Sequence, residues 1–461
     1  MRSISRLPTA TEQLALFRRK EASPLDFVKL ALEEIENFSA LNFIRCPDIP
    51  GLMEQAELSE RRWLRGEPNG RLDGVLATAK DNCLVKGWTS FWGSLTRSQL
   101  ASEDSPVVAR LRESGALILG ITTMPEFGWK GVCDNARDGA TLNPWDRTRT
   151  PGGSSGGAAV AATLGIPLNV GTDGAGSIRI PASFCGVVGF KPTYGIVPAY
   201  PVGSLPNFTH VGPITRSAVD AALMFDVLAQ PDPRDWQAIS FKLPRRPLPD
   251  RPRVAYSRTL GYAKPDLEII EISDIAIERL KSLGWIIEEV DPGFAEPINI
   301  IRTLYFSAFA NMVRAVPSTS RDQIDPGLVE EIKAIGLLDA DAIISALSQR
   351  DALGRHMNAF HRKHDFLLTP TMPIVAFETG TEIPTGRSMK SWFDWNPFTY
   401  PFNLTQQPAA TIPSGITKDG LPVGLQIVGS RYDDFAVLEA CCVATNVVGR
   451  DEWAASSSRA T

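Results

Sequence analysis

Two loops of small residues and one lysine carry the residue types that could do covalent chemistry in this chain. The stretch PGGSSGG, residues 151–157, holds four glycines and two serines. A second glycine-rich loop, GTDGAGSIRIP, contains Ser177. Apolar residues separate the two loops, so neither has the polar surroundings of a flexible linker. Either loop alone could be a structural turn, but the pair suggests backbone held close to a ligand.

Ser177 is the candidate nucleophile of the second loop. The small residues Gly174, Ala175 and Gly176 before it permit tight turns that direct several backbone N–H groups to one point. Such donors would form an oxyanion hole, which stabilises the charge on a carbonyl oxygen under attack. A phosphate-binding loop is the competing interpretation, but the loops match neither G-x-G-x-x-G nor G-x-x-x-x-G-K-[ST]. The pattern therefore favours acyl transfer over nucleotide binding.

A serine nucleophile needs a group that accepts its proton. Ser177 lies in AGSIR and not in the G-x-S-x-G elbow of histidine-dependent hydrolases, and only His210 is near it in sequence. A lysine can replace the histidine, and Lys80 ends the mostly apolar stretch LDGVLATAK. Most lysines are solvated surface groups. Burial of Lys80, however, would disfavour its charged form and leave an amine that could act as a base.

The elements that must position these residues follow an α/β pattern. A helix followed by a short apolar strand occurs in SPVVARLRESGALILGITT, in IIEISDIAIERLKSLGWIIEEVD and in HMNAFHRKHDFLLTP. A segment rich in proline and charge, about residues 231–253, could be a domain boundary or a surface excursion within one domain. The tail, about residues 454–461, is predicted to be disordered.

The composition excludes several other classes of protein. A net charge of -5 with basic residues spread along the chain predicts no nucleic-acid partner. Without a secretory signal or an apolar run of about 20 residues, we expect no membrane partner and a cytoplasmic location. The 6 cysteines form no C-x-x-C pair, which predicts reduced thiols. His361 and His364 lack the H-E-x-x-H spacing, so no metal site is expected.

Taken in order, the motifs resemble the amidase signature family. They are AKDN, GGSSGG, GTDGAGSIRIPASFCGVVGFKPTYG and HVGPITRSAVDAA, a core of about residues 72–220, followed by DFLLTPTMP, PFNLTQQPAATIPSG and GLPVGLQIVG. The match covers nearly the whole chain. It implies an α/β fold in a single large domain, residues 1–461, whose mixed central β-sheet is flanked by helices on both faces. The segment 231–253 would then be an excursion within that domain.

The same resemblance implies a Ser-cisSer-Lys triad that hydrolyses amides through an acyl-enzyme. Ser177 matches the nucleophile, Ser154 the bridging serine that follows a cis peptide bond, and Lys80 the base. The family's oxyanion hole matches the backbone N–H groups of Gly174, Ala175, Gly176 and Ser177. The resemblance implies neither a metal nor an organic cofactor.

Three further residues match positions around the triad. Asp173 and Arg179 are expected to support the loop that carries the nucleophile. Ser155 is adjacent to Ser154 and equally small, and we assign it the role of a local hydrogen-bonding partner because the first serine of the pair is the usual bridge.

The chain departs from the family pattern at three points. Ala175 stands at a position where glycine is the commonest residue of the family, and Leu76 stands where the strand that carries the lysine often has proline. The spacing from Ser154 to Ser177 is one residue shorter than usual. The shorter spacing has two interpretations, a shifted loop or a shorter intervening helix.

The substrate is expected to be a small-molecule amide, and a homodimer is one option for the assembly. Six aromatic residues crowd the stretch MKSWFDWNPFTYPFNLT. Aromatic side chains at this density are more often core than pocket. Trp392 and Phe398 are the candidates for a substrate pocket, and with them the substrate would be an apolar or aryl amide.

The strongest alternative is the A subunit of a tRNA-dependent Asp/Glu amidotransferase, which resembles the chain in the same motifs. That protein is the glutaminase part of a multi-subunit ligase and usually has Gln where this chain has Ile180. A catalytically silent binding protein on the same fold is a third option, disfavoured because every triad position is filled. The sequence favours a stand-alone amidase.

Overall fold

The computed structural model describes residues 7–201, 203, 205, 207–336 and 338–448. The α-helices are α1 (Ala10–Arg19), α2 (Pro24–Asn37), α3 (Ile49–Arg65), α4 (Pro106–Glu113), α5 (Gly156–Thr163), α6 (Arg179–Cys185), α7 (Ala218–Leu228), α8 (Leu267–Ser282), α9 (Ile298–Ala315), α10 (Pro326–Ile335), α11 (Ala340–Phe360), α12 (Pro401–Leu404) and α13 (Asp434–Ala444). Short 3-10 helices cover Ser39–Leu41, Glu126–Gly128, Ser318–Gln323 and Trp392–Trp395.

The strands are β1 (Ile44–Arg45), β2 (Leu76–Lys80), β3 (Thr89–Ser90), β4 (Gln99–Leu100), β5 (Leu117–Thr122), β6 (Asp134–Asn135), β7 (Gly139–Ala140), β8 (Leu168–Asp173), β9 (Val188–Lys191), β10 (His210–Thr215), β11 (Arg253–Tyr256), β12 (Ile286–Glu289), β13 (Phe366–Pro370), β14 (Ala409–Ile416) and β15 (Pro422–Gly429).

One sheet of 11 strands forms the centre of the fold, in the order β1-β5-β2-β8-β10-β9-β14-β15-β13-β11-β12. It is mixed: β2 runs parallel to β5 and β8, and β11 runs parallel to β12 and β13, whereas the other pairs are antiparallel. Helices pack against the sheet, among them α5, α6, α7, α8 and α13. The expectation of an α/β fold with a mixed central sheet is confirmed.

Local sequence signals explain where the elements begin. Helix α2 starts at Pro24, and Ser23 forms a capping box with Asp26 that satisfies free N–H groups of the first turn. The helix-then-strand patterns also appear as expected, with α4 leading to the buried strand β5, α8 to β12 and α11 to β13. Strand β12 differs from β5 because it lies at the edge of the sheet and is mostly exposed.

The sheet brings the two ends of the candidate site together. Strands β2 and β8 are parallel neighbours, so their carboxyl ends, at Lys80 and Asp173, reach the same edge of the sheet. Helices α5 and α6 are fully buried and begin just after the two serine loops. Small residues in α5, GGAAVAAT, let it pack closely against β2, β5 and β8.

The proline-rich segment, residues 231–253, connects α7 to β11 without a helix or strand until β11 begins at Arg253. The predicted tail, residues 454–461, lies outside the described residues. Within the described part of the chain, every helix is too short or too polar to cross a membrane.

Candidate active site

Lys80 is completely buried and surrounded by hydroxyl groups. Its Nζ lies 2.6 Å from Ser154 Oγ, 2.9 Å from Ser155 Oγ and 2.9 Å from Thr172 Oγ1. Burial lowers the pKa of Lys80 from its usual 10.5 to about 7, because the low-dielectric interior disfavours the charged amine. At neutral pH a large share of Lys80 is therefore neutral, as a general base must be.

The two serines at the start of α5 have different environments. The Gly153–Ser154 peptide bond is cis. The Ser155 hydroxyl donates to Thr172 O at 3.1 Å and accepts from Thr172 N at 3.2 Å, so β8 holds it in place. Ser154 lines a cavity and has Lys80 as its partner. A side chain at Gly153 would place its Cβ 2.2 Å from Val132 O, so this position has room only for glycine.

Ser177 faces the same cavity as Ser154. Among the described residues, its hydroxyl has no hydrogen-bond partner, and no hydrogen bond joins it to the Ser154 hydroxyl. The backbone of the loop is fixed, because Ser155 N donates to Ser177 O at 3.1 Å. The arrangement brings Lys80 and Ser154 into direct contact and leaves Ser177 Oγ open to a ligand.

The loop before Ser177 presents fewer free donors than the four expected from the sequence. Gly176 N donates to Asp173 Oδ1 at 2.7 Å, which removes it from the set. The described residues offer no acceptor to the N–H groups of Gly174, Ala175 and Ser177. Gly176 has φ +125°, and a Cβ there would lie 2.2 Å from Thr399 Oγ1, so only glycine fits this turn.

Asp173 and Arg179 form a fully buried ion pair under this loop. Arg179 Nε and Nη2 each lie 3.0 Å from a carboxylate oxygen of Asp173. Arg179 also donates to Asn403 Oδ1 at 2.6 Å and to Gln426 Oε1 at 2.8 Å. Burial alone would raise the pKa of Asp173, but the Arg179 guanidinium outweighs it, so the pKa lies below its usual range. The pair anchors the loop to α12 and β15.

Two polar neighbours of Lys80 were not identified from the sequence. Thr172 contacts Lys80 directly, and Asn82 Nδ2 donates to Thr172 Oγ1 at 3.1 Å. Thr172 precedes Asp173 in the GTD motif and Asn82 follows Lys80 in AKDN, so both lie within the quoted motifs. Their position inside those motifs was the signal that could have found them.

Apolar side chains and polar groups both line the cavity above the two serines. Its described lining consists of Asn82, Cys83, Trp92, Val107, Phe127, Gly128, Ser154, Thr172, Gly174, Ser177, Pro198, Ala199, Tyr200, Pro201, Gly203, Leu205, Thr209, Val211 and Phe309. No charged side chain occurs among these described lining residues.

Trp392 and Phe398, the residues expected to line the pocket, are absent from this described lining. Trp392 is 2% exposed and stacks on Phe393, with ring centroids 4.0 Å apart. Phe398 is fully buried in a separate cluster that includes Leu367 and Phe402. The structure places both aromatics in the core, and Trp92, Phe127 and Phe309 supply aromatic rings to the cavity instead.

Comparisons with known proteins identify the family of the chain. The model of the Amidase family matches residues 26–438. The acylamidase of Rhodococcus erythropolis is 34% identical over 462 residues, covering 97% of this chain and 96% of its own. The A subunit of the glutamyl-tRNA(Gln) amidotransferase of Alkaliphilus metalliredigens is 32% identical over 435 residues, covering 86% of this chain and 87% of its own.

The solved structures agree as well. That of a bacterial aryl acylamidase of the amidase signature family superposes with a TM-score of 0.88 at 28% identity, covering 98% of this chain and 99% of its own. A family model that spans most of the chain and an acylamidase relative matched over nearly its full length support the same assignment. The chain belongs to the Amidase family of amidase signature enzymes and is a hydrolase that acts on amide bonds.

Proposed function

We propose that this chain is a self-sufficient amidase in which Ser177 is the nucleophile, Ser154 relays the proton and Lys80 is the base. One observation carries the proposal. A fully buried lysine with a pKa of about 7 lies 2.6 Å from a serine that shares its cavity with a second, unpartnered serine among the described residues. A base tuned to neutral pH beside a hydroxyl relay is what activation of a serine requires.

In the first step, neutral Lys80 accepts the proton of Ser154 while Ser154 accepts the proton of Ser177. Ser177 Oγ attacks the amide carbonyl carbon and forms a tetrahedral intermediate. The negative charge on its oxygen is held by the backbone N–H groups of Gly174, Ala175 and Ser177, which the described residues leave unpaired. Lys80 is now an ammonium that donates to hydroxyl oxygens around it.

In the second step, the intermediate collapses and the C–N bond breaks. The departing nitrogen receives a proton from Ser154, which recovers one from the Lys80 ammonium. This delivery is essential because an unprotonated amine is a poor leaving group. A water molecule then attacks the acyl-enzyme with the same base assistance, releasing the acid and restoring Ser177. The net reaction consumes one amide and one water and yields one acid and one amine or ammonia.

The environments of the two adjacent serines favour Ser154 as the relay. The Ser155 hydroxyl already bonds both backbone groups of Thr172, so it would have to break these bonds to pass a proton. Ser154 has no such ties among the described residues and borders the cavity. Ser155 then acts by holding Lys80 in position.

The cavity supports an apolar acyl or aryl group as the substrate class. Trp92, Phe127, Leu205 and Phe309 contribute large apolar side chains to its lining. Glutamine, the substrate of the amidotransferase alternative, carries an ammonium and a carboxylate, and the described lining offers no charged partner for either. This observation favours apolar amides over glutamine, although the amidotransferase relative from Alkaliphilus metalliredigens is also similar in sequence.

The experiment that tests the proposal treats the purified chain, alone, with a fluorophosphonate and maps the adduct by mass spectrometry. In parallel, the release of para-nitroaniline from its acetyl amide is followed. We expect an adduct at Ser177 together with turnover, and loss of both in Ser177→Ala. The matched control is Ser183→Ala, a buried serine of α6 outside the described cavity lining, which should keep both.

Other outcomes would contradict the proposal. An adduct at another serine would remove Ser177 as the nucleophile. Absence of turnover on anilides and aliphatic amides, with glutaminase activity only after the other amidotransferase components are added, would establish the amidotransferase function instead.

A further inference from the structure

We propose that residues 232–239, a bracing segment inside the proline-rich excursion, fix the shape of one wall of the substrate cavity and so set which amides fit. This inference rests on the proposed amidase function and adds positioning residues that lie outside the triad and its oxyanion loop. The motif-bearing segments do not include the bracing segment, and none of its residues is among the described cavity lining.

The wall is the described part of residues 194–209, between β9 and β10. It contributes Pro198, Ala199, Leu205 and Thr209 to the cavity lining, among others. No helix or strand is formed there by the described residues, so no regular ladder of backbone hydrogen bonds holds it. A loop that forms a binding surface needs contacts from a rigid neighbour to keep one shape.

The first such contact comes from Asp235, which is 5% exposed. Its Oδ2 accepts the backbone N–H of Ala199 at 2.9 Å, and its Oδ1 accepts the N–H of Gln237 at 3.0 Å. A carboxylate that accepts two N–H groups in a buried site makes charge-assisted hydrogen bonds, which are stronger than neutral ones. Asp235 therefore ties a cavity-lining residue directly to the bracing segment.

The second contact point is Gln237, which bonds both ends of the wall. Its side-chain oxygen accepts from the Tyr194 hydroxyl, and its Nε2 donates to Asn207 Oδ1. Ile239 N also donates to Gly195 O at 2.8 Å. The bracing segment thus holds the beginning, the middle and the end of the wall.

A third contact lies at the middle of the wall. The Arg234 guanidinium sits 5.5 Å from the centroid of the Tyr200 ring, and Glu103 accepts from both side chains, at 2.7 Å from Arg234 and 3.2 Å from the Tyr200 hydroxyl. Arg234 is itself fixed by Asp232 at 2.8 Å. Three side chains of the bracing segment therefore contact a wall whose inner face lines the cavity. Such contacts would hold the wall in one position relative to the substrate.

The chemistry itself should not depend on this segment. Asp235 forms no hydrogen bond with the triad residues, according to the described contacts. Its loss would leave the buried Ala199 N–H unpaired, so the wall would shift to find another partner. Substrates that reach the wall would bind differently, whereas the attack of Ser177 on a small amide would change little.

The test uses Asp235→Ala, with Asp250→Ala as the matched control, because Asp250 is an exposed aspartate of the same excursion. The substrates are para-nitroanilides of acetyl, butyryl, hexanoyl and benzoyl groups, which share one leaving group. We expect Asp235→Ala to change the ratio of kcat/KM between the largest and smallest acyl groups by about tenfold, mainly through KM. Asp250→Ala should change that ratio by less than about twofold, and Asp235→Asn, which keeps one acceptor oxygen, should fall between.

A second readout does not require turnover. Hydrogen exchange followed by mass spectrometry should show at least about tenfold faster exchange of the Ala199 amide in Asp235→Ala than in Asp250→Ala. If Asp235→Ala does not fold, Gln237→Met serves in its place, because it removes the bonds to Tyr194 and Asn207 at similar volume.

The outcomes separate this inference from the proposed function. Unchanged acyl selectivity together with unchanged exchange at Ala199 would overturn the bracing role. Loss of rate by the same factor for every acyl group would also overturn it, because that is the signature of a general structural role. Wild type that cleaves neither these anilides nor aliphatic amides would refute the proposed function, and the exchange measurement would still decide whether Asp235 holds the wall.

Discussion

The depressed pKa of Lys80 makes the pH dependence of the reaction a sharp test of its role. Burial lowers this pKa from 10.5 to about 7, a difference of about 3.5 pH units. Only the neutral amine can accept a proton, so kcat/KM should rise about tenfold per pH unit below pH 7 and level off above about pH 8. With an ordinary pKa, the rise would continue to about pH 10.

The magnitude at neutral pH follows from the same numbers. With a pKa of about 7, about half of the enzyme carries neutral Lys80 at pH 7, whereas an ordinary lysine would be neutral in fewer than about one molecule in a thousand. Removing the base altogether should lower kcat/KM by about a hundredfold to ten-thousandfold. The assay is the initial rate of para-nitroaniline release, measured from about pH 5 to about pH 10.

Two variants complete this test. Lys80→Met should lose most of the activity, and its remaining rate should no longer rise with pH below pH 7. Lys29→Met, at an exposed position of α2, should keep the wild-type dependence of kcat/KM on pH. A substantial rate in Lys80→Met with an unchanged rise of kcat/KM below pH 7 would refute the role of Lys80, because another group would then be the base. That role would also be refuted by a wild-type rate that still rises tenfold per unit above pH 9, since burial would not have lowered the pKa.

Three further predictions concern the neighbours of the triad and the core. Ser154→Ala should lower kcat/KM by at least about a hundredfold. The loss in Ser155→Ala should be smaller than that by a factor of at least about ten, and equal losses in the two variants would contradict the assignment of Ser154 as the relay. Arg179→Met should reduce the free energy of unfolding by about 3–5 kcal/mol in urea titrations, because it leaves the Asp173 carboxylate buried without a partner. Arg179→Lys should lose less free energy of unfolding than Arg179→Met. Unchanged stability of Arg179→Met would mean that the ion pair does not stabilise the fold. Trp392→Ala should reduce the free energy of unfolding by about 3–5 kcal/mol without changing relative rates across anilides and aliphatic amides, and changed relative rates at unchanged stability would place Trp392 in the pocket.

Much of the fold could be predicted because its signals are local. The cap before α2, the proline at its first position, and the glycine between α4 and β5 act through residues a few positions apart. The motif order also led to the family, and the comparisons confirm it. The order of the 11 strands could not be read from the sequence, because strand neighbours such as β2 and β8 are far apart along the chain.

Some residues of the candidate site could be recognised from the sequence, and others are brought together only by the fold. The residue types at Lys80, Ser154 and Ser177 stand in recognisable motifs, so their roles could be hypothesised directly. The aromatic stretch around Trp392 left both core and pocket open, because composition alone cannot distinguish a ring that packs in the core from one that lines a cavity. Trp92, Phe127 and Phe309 come from three distant segments and acquire a shared function only when the chain is folded.

By itself, the sequence determined the chemistry available to this protein: a lysine, two serine loops and small residues that permit tight turns. Tertiary structure decided how that chemistry is tuned. The pKa of Lys80 is low because the folded chain buries the amine. The Ser177 hydroxyl is without a hydrogen-bond partner because no described residue places a donor or acceptor next to it. Solvation and distance are properties of the packed interior, and neither is encoded in any short stretch of chain.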